Sequence, residues 1–261
     1  MTRLESYLNE AVLKGLSVED VQDILLKDCK KFLKETSWAF YRGSDAGWGQ
    51  EGSIHRIKSR AMVGKYMRKP KDTPIWIHKM ANKAFKETHG WSPRQGVFAS
   101  DMGTAASYGK GTFLFFPIGN YDYLWSPSVR DFFATGLDAI GPAKYGGNKI
   151  DIFVGTLYQR VEWWAEESGR PSFSQTAEWQ PYYKHFYLGN VKVSKSSVQK
   201  YIYDKLLEVT KLYTDTDLER AAKKNAEASF RVKGYYLVPG DFQLALTTSG
   251  FNQLGNWARR A

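Results

Sequence analysis

The sequence predicts an α+β fold with its helices and strands largely segregated. Three observations carry this. Apolar residues recur at helical spacing near the front of the chain. Short apolar runs dominate the middle without a helix regularly between them. A late stretch alternates apolar and charged residues as a half-buried strand does. Strands not regularly alternated with helices argue against a doubly wound sheet. With 261 residues the chain can form one large or two small domains.

The elements follow in order. Leu4, Leu8, Val12 and Leu16 predict an amphipathic helix ending near Gly15. Ser17 caps a second helix whose buried stripe is Val21, Ile24, Leu25, Phe32 and Leu33, with Cys29 on or near that face. Trp38 to Arg42 reads as a buried aromatic strand, and residues 43–52 as a glycine-rich loop. The basic segment 53–72 carries no clear period. Thr73 caps another helix with Pro74 at its first position; Ile77, Met80, Ala81, Ala84 and Phe85 line one face, and Gly90 stops it. GVFAS (96–100) and TFLFFPIG (112–119) read as strands joined by a turn-rich segment. Residues 125–133 read as loop and short helix, and 149–157 as a strand. Residues 166–181 form a polar loop or insertion. Val198, Ile202, Leu206 and Val209 mark a helix, and Thr216 caps a shorter one. In SFRVKGYYLVP (229–239) Phe230 and Val232 alternate with Arg231 and Lys233. The remainder reads as a peripheral strand and tail. The organisation predicted is a helical segment at 1–36, a main domain at 37–240 with 141–187 as a candidate insertion, and a tail at 241–261.

Composition narrows the partners. The single cysteine, Cys29, excludes an internal disulfide and fits a reducing compartment. No run of about 18 uninterrupted apolar residues occurs, so no transmembrane helix or membrane insertion is expected. The N-terminus carries Glu5 and Glu10 and lacks the apolar segment of a signal peptide. The formal net charge of +10 favours polyanionic partners, or belongs to a protein that is simply basic. The densest basic group lies at 58–71. With Arg56, Lys58, Arg60, Lys65, Arg68 and Lys69 it is a candidate nucleic-acid or anion patch. His55, His78, His89 and His185 show no ligand spacing, so no metal is expected. YGGNK (145–149) lacks the ending of a phosphate loop and reads as a turn.

One stretch breaks its own pattern. In WAFYRGSD (38–45) an arginine, Arg42, ends an aromatic strand against Gly43. Such a charge is rarely buried unpaired, so it holds an internal acid such as Asp45 or waits for an external anion. Further on, GVFAS places Ser100 at a strand end and is followed by AASYG (105–109). Later still, Glu227 stands just before the alternating strand in NAEASFRVKGYYLV (225–238). An arginine on a strand, a serine on a middle strand and a glutamate beside the last strand, in that order, resemble the ADP-ribosyltransferase superfamily of the arginine–serine–glutamate type. The runs RKPKDTP, GWSPRQGVFAS, YGKGTFLFFPIGNYDYLWSP and TDTDLERA are similar to a group of tailed-phage proteins with this fold, some of them virion-associated. The resemblance covers residues 41–238, most of the chain.

The resemblance implies a split, mixed or antiparallel β core with N-terminal helices, and NAD as substrate. Arg42 would bind the NAD diphosphate, which a planar guanidinium suits, with Gly43, Gly47 and Gly49 letting backbone approach the ligand. Glu227 would stabilise the charge that develops on the ribose. Ser100 would hold the glutamate and the nicotinamide pocket, and Phe98 and Tyr108 would stack on the nicotinamide. Each residue also has a plainer reading: an internal ion pair for Arg42, a turn residue for Ser100 beside Asp101, a solvated charge for Glu227. The chain departs from the family in having Ala99-Ser100-Asp101 where Ser-Thr-Ser is common. It also has Asn225 where Glu or Gln shapes acceptor choice. Glu178, three residues after Gln175, is a rival glutamate off by one in spacing. The activity implied is transfer of ADP-ribose to a host protein or nucleic acid, in the virion or the host cytoplasm. The alternatives are a virion structural or packaged protein that keeps the fold without activity and binds other virion proteins, and a basic nucleic-acid-binding module.

Overall fold

The computed structural model describes residues 10–45, 53–59, 75–129, 143–145, 148–152, 185–188 and 191–239. Mixed helices and antiparallel sheets bear out the α+β class. Two compact units are drawn from the chain. The first comprises Met1–Tyr66, Gln95–Pro127 and Thr214–Ala261, the second Met67–Arg94 and Ser128–Tyr213.

In the first unit the chain opens with β1 (Glu10–Leu13), which pairs antiparallel with β3 (Ile54–Lys58). This corrects the expected N-terminal helix over its described part. The four-residue spacing of Val12 and Leu16 also suits a strand, and the backbone of β3 supplies the hydrogen bonds that decide between them. Helix α1 (Val18–Asp28) begins as expected at Ser17. The Asp20 amide donates to Ser17 Oγ at 3.1 Å and the Ser17 amide to Asp20 Oδ2 at 2.8 Å, a reciprocal cap. Those two bonds hold the Asp20 carboxyl below its ordinary pKa. The helix pauses at Cys29 and resumes as α2 (Lys30–Glu35), so the predicted single stripe lies on two helices. Val21, Leu25, Cys29, Phe32 and Leu33 are all fully buried.

Two sheets complete this unit. Five strands run in the order β1, β3, β12 (Gly234–Val238), β5 (Gly111–Pro117) and β2 (Tyr41–Ser44). Three more run as β4 (Val97–Ala99), β11 (Ala228–Val232) and β6 (Tyr121–Trp125). The expected strand at 229–239 is therefore two strands in different sheets, separated at Lys233. The alternation still holds, with Phe230 and Val232 buried and Arg231 exposed. Strands β3 and β6 were not expected: IHRIK sits within a basic stretch, and YDYLW falls between the strand read at 112–119 and the loop read from 125. The short helix α6 (Leu218–Lys223) is capped by Asp217, not Thr216, with the Asp217 carboxylate accepting from the Arg220 amide at 3.1 Å.

Phe230 is the centre of the core. Its ring lies 5.0 Å from Phe115, 5.7 Å from Phe40, 5.7 Å from Tyr121 and 6.4 Å from Phe32. One side chain thus joins both sheets to α2, in the tilted and edge-on geometries that aromatic quadrupoles favour. At its margin the Tyr121 hydroxyl donates to Glu35 Oε2 at 2.7 Å, and the Lys31 ammonium donates to the Tyr121 carbonyl at 2.6 Å. Burial first, then the Glu35 contact, raises the Tyr121 phenol well above its ordinary pKa. The Tyr236 hydroxyl likewise donates to Asp28 Oδ2 at 2.7 Å, tying β12 to the end of α1.

In the second unit α3 (Ile75–His89) packs along α5 (Lys195–Thr210). Ala81, Ala84, Phe85, Leu206 and Val209 are buried, and Gly90 ends α3 at φ +75°, as expected. Tyr213 meets Phe85 edge-on at 4.9 Å. Two hairpins, β7–β8 (Ala143–Tyr145, Asn148–Ile152) and β9–β10 (His185–Leu188, Val191–Ser194), also belong here. Tyr145 pairs with Asn148, while the two glycines between them, read above as a turn, lie outside the described residues. Thr73, Pro74, residues 166–181 and the C-terminal tail lie outside the described residues.

Phe230→Ala should remove the contact that all three layers share. A loss of about 3–5 kcal/mol is expected, read as a lower urea midpoint at unchanged slope.

Candidate functional site

The two sheets of the first unit meet at one pair of residues. Tyr41, the first residue of β2, bridges antiparallel to Ser100, the residue after β4. The Tyr41 amide donates to the Ser100 carbonyl at 2.8 Å, and the Ser100 amide donates back at 2.9 Å. On its other side β4 pairs with β11, Ala99 against Ala228 and Phe98 against Ser229. The ladder ends at Ala99–Ala228, with Ser100 and Glu227 the next residues on the two segments. Both backbone bonds of Ser100 are spent on Tyr41.

Arg42 stands inside β2, not at the end of the expected strand. The strand starts at Tyr41 and runs through Gly43 to Ser44, while Trp38 is 50% exposed and precedes it. Arg42 pairs with Phe113 of β5. By strand alternation Arg42, Phe113 and Phe115 share one sheet face, and Phe115 meets Phe230 of the other sheet. The arginine therefore lies on the face turned toward the three-stranded sheet. Its Nη1 donates to the Phe98 carbonyl at 2.6 Å, and its guanidinium carbon lies 5.7 Å over the ring of Tyr235. Backbone groups alternate sides along a strand. Since Ser100 directs its pair toward β2, Phe98 does too, and there its carbonyl meets the guanidinium. Among the described residues no carboxylate forms an ion pair with Arg42, so the pairing with Asp45 does not form.

Ser100 is buried, and its hydroxyl makes a long 3.3 Å contact to the Asp101 carbonyl. Asp101 caps a short helix, α4 (Met102–Ala106), where turns were expected. Burial pushes the Asp101 carboxyl up. The Thr104 hydroxyl at 2.6 Å and amide at 3.0 Å, with the Gly103 amide, outweigh burial and hold it below its ordinary pKa. The segment after α4 then lies against β2. A side chain at Gly43 would run into the Ala105 carbonyl and the Tyr108 backbone, and one at Gly109 into the Ser44 backbone. The space that Gly43 leaves is thus filled by the chain's own backbone, whereas Gly47 and Gly49 lie outside the described residues. Phe98 is half-buried, and Tyr108 is 50% exposed.

Glu227 is half-buried and owes its position to the way α6 ends. The Ala226 amide donates to the Ala221 carbonyl at 3.0 Å and the Asn225 amide to the Ala222 carbonyl at 3.0 Å. Asn225 has φ +54°. This is the Schellman ending, in which the residue after the cap is left-handed and is usually Gly or Asn. The place where the family resemblance expects Glu or Gln is thus a backbone position suited to asparagine. Two residues later the chain enters β11 with Glu227 at its mouth.

Of the basic patch, Arg56 and Lys58 are exposed on β3, two residues apart and so on one face. Arg60, Lys65, Arg68, Lys69 and the rival Glu178 lie outside the described residues. Among the described residues no cluster of three His, Cys, Asp or Glu side chains is placed to hold a metal, and no helix is long and apolar enough to cross a membrane. Sequence reasoning missed Tyr235 and the Phe98 carbonyl as the partners of Arg42. The alternation of residues 229–239 marks a strand but not the residue its ring will carry. Compared with protein-family models, curated proteins and solved structures, the chain matches none.

Two predictions follow the backbone. Gly43→Ala should cost about 2–3 kcal/mol in denaturant unfolding, since its methyl meets a carbonyl rather than a movable side chain. Asn225→Glu should lose about 1 kcal/mol, whereas Asn225→Gly should hold or slightly raise the midpoint.

Proposed function

We propose that the chain is a mono-ADP-ribosyltransferase that moves ADP-ribose from NAD to a host macromolecule, with Arg42, Ser100 and Glu227 as its site. What supports this is the register: Tyr41 against Ser100, and Ala99 against Ala228, align the three segments that carry these residues side by side. The charge and placement of Arg42, facing the second sheet, suit a diphosphate.

In this reading Arg42 binds the NAD diphosphate. The bond between the nicotinamide nitrogen and ribose C1′ breaks, and nicotinamide leaves neutral with the electron pair. Positive charge develops on the sugar, and the Glu227 carboxylate stabilises it through a ribose hydroxyl. Ser100 keeps Glu227 in that orientation. The acceptor then forms its bond to C1′ and gives its proton to solvent. The net charge of +10 favours an acidic acceptor, nucleic acid or protein.

The test is nicotinamide release and transfer of label from NAD by the purified chain with host lysate. Glu227→Gln should lower both by at least about a hundredfold, with NAD still bound in calorimetry. Turnover unchanged in the variant would remove Glu227 from the chemistry. No NAD binding and no turnover by the unaltered chain would leave the fold as a structural part of a virion.

A further inference from the structure

We infer that Tyr235 is the positioning residue for Arg42, holding its guanidinium ready for a diphosphate. This rests on the reading of Arg42 as an anion-binding group. Tyr235 lies in β12, two strands away from β2 in the sheet, with β5 between. The residue is 7% exposed, and its ring sits 5.2 Å from that of Phe115. Backbone pairing with Ile57 on one side and Pro117 on the other fixes it further. The ring is therefore a fixed surface, and the Arg42 guanidinium lies over it at 5.7 Å, within the range of cation–π attraction.

The second fixed point is the Phe98 carbonyl, 2.6 Å from Nη1. A guanidinium is planar and carries several N–H donors in a fork. The ring beside its central carbon and the carbonyl on Nη1 hold the group at two points and so restrict where its other donors can lie. Among the described residues no other acceptor takes the remaining donors of Arg42. These donors are held in place before any ligand arrives. A long flexible cation loses rotamer freedom when it binds; one already pinned at two points has little left to lose. The ligand chemistry this serves is a diphosphate ester or free pyrophosphate, whose oxygens accept a fork of donors.

The experiment measures binding of inorganic pyrophosphate, and separately of NAD, to the full chain by calorimetry. Tyr235→Leu should weaken pyrophosphate about tenfold, while Tyr235→Phe, which keeps the ring, stays within about twofold of the unaltered chain. In an Arg42→Ala background Tyr235→Leu should have no further effect. Should Tyr235→Leu fail to fold, phenylalanine analogues with increasing ring fluorination keep the shape and drain the ring face. Affinity should then fall stepwise with fluorination. If NAD turns over, KM should rise with these changes and kcat should hold. Folded Tyr235→Leu with unaltered pyrophosphate affinity, or a flat fluorination series, overturns the inference, as does the absence of pyrophosphate binding in the unaltered chain. Pyrophosphate binding that needs both residues, in a chain that does not turn over NAD, upholds this inference while sinking the transferase reading.

Discussion

Two backbone hydrogen bonds between Tyr41 and Ser100 hold the first unit's sheets at a common corner. Everything at the candidate site is measured from that corner. It sets β4 beside β2, so the Phe98 carbonyl comes to Arg42. It leaves the opposite edge of β4 to β11, where Ala99 pairs with Ala228. Two hydrogen bonds alone are a weak joint, and the surroundings brace it. Phe230 packs across both sheets behind it. In front, the segment that follows α4 lies on β2 at a distance that only Gly43 and Gly109 permit. A joint clamped on both sides lets three strands from distant parts of the chain keep a fixed register.

The same economy explains residues that look like departures from a catalytic pattern. Asn225 answers to the left-handed backbone at the end of α6 before it answers to any substrate. Asp101 caps α4, and its bonds to Thr104 hold it charged. A helix start immediately after Ser100 and a helix stop immediately before Glu227 both lie at one end of the β4–β11 ladder and close it there. At such positions backbone geometry selects the residue type, and chemistry works with what the backbone leaves.

How much of this was legible in the sequence depended on the kind of signal. Ser17 with Asp20, Gly90 and the apolar faces of α1 and α3 announced themselves because the deciding interactions are local. The α+β class followed from where the strands cluster. Pairing partners were illegible wherever distant backbone decided the outcome. Residues 10–13 carry a spacing that fits a helix, yet the neighbouring β3 makes them a strand. The run 229–239 alternates without a visible break, yet Lys233 divides it between two sheets. The order of Arg42, Ser100 and Glu227 was readable. Their common register was not, since it is fixed by Ala99–Ala228 and Tyr41–Ser100 pairs that no local pattern encodes. Tyr235 was invisible for the same reason, because its meeting with Arg42 spans an intervening strand.

The plain and the chemical readings of Arg42 are compatible. A carbonyl on β4 needs a donor at the point where the two sheets meet, and the guanidinium supplies one. A lysine could have done that much, since its ammonium also donates. It could not have kept further donors in a rigid planar fork beside the Tyr235 ring. Arginine at this position satisfies the backbone with one edge and presents the rest. The structural demand explains why a cation belongs on an otherwise aromatic face. The surplus of oriented donors, beyond what Phe98 uses, is what an external anion would take.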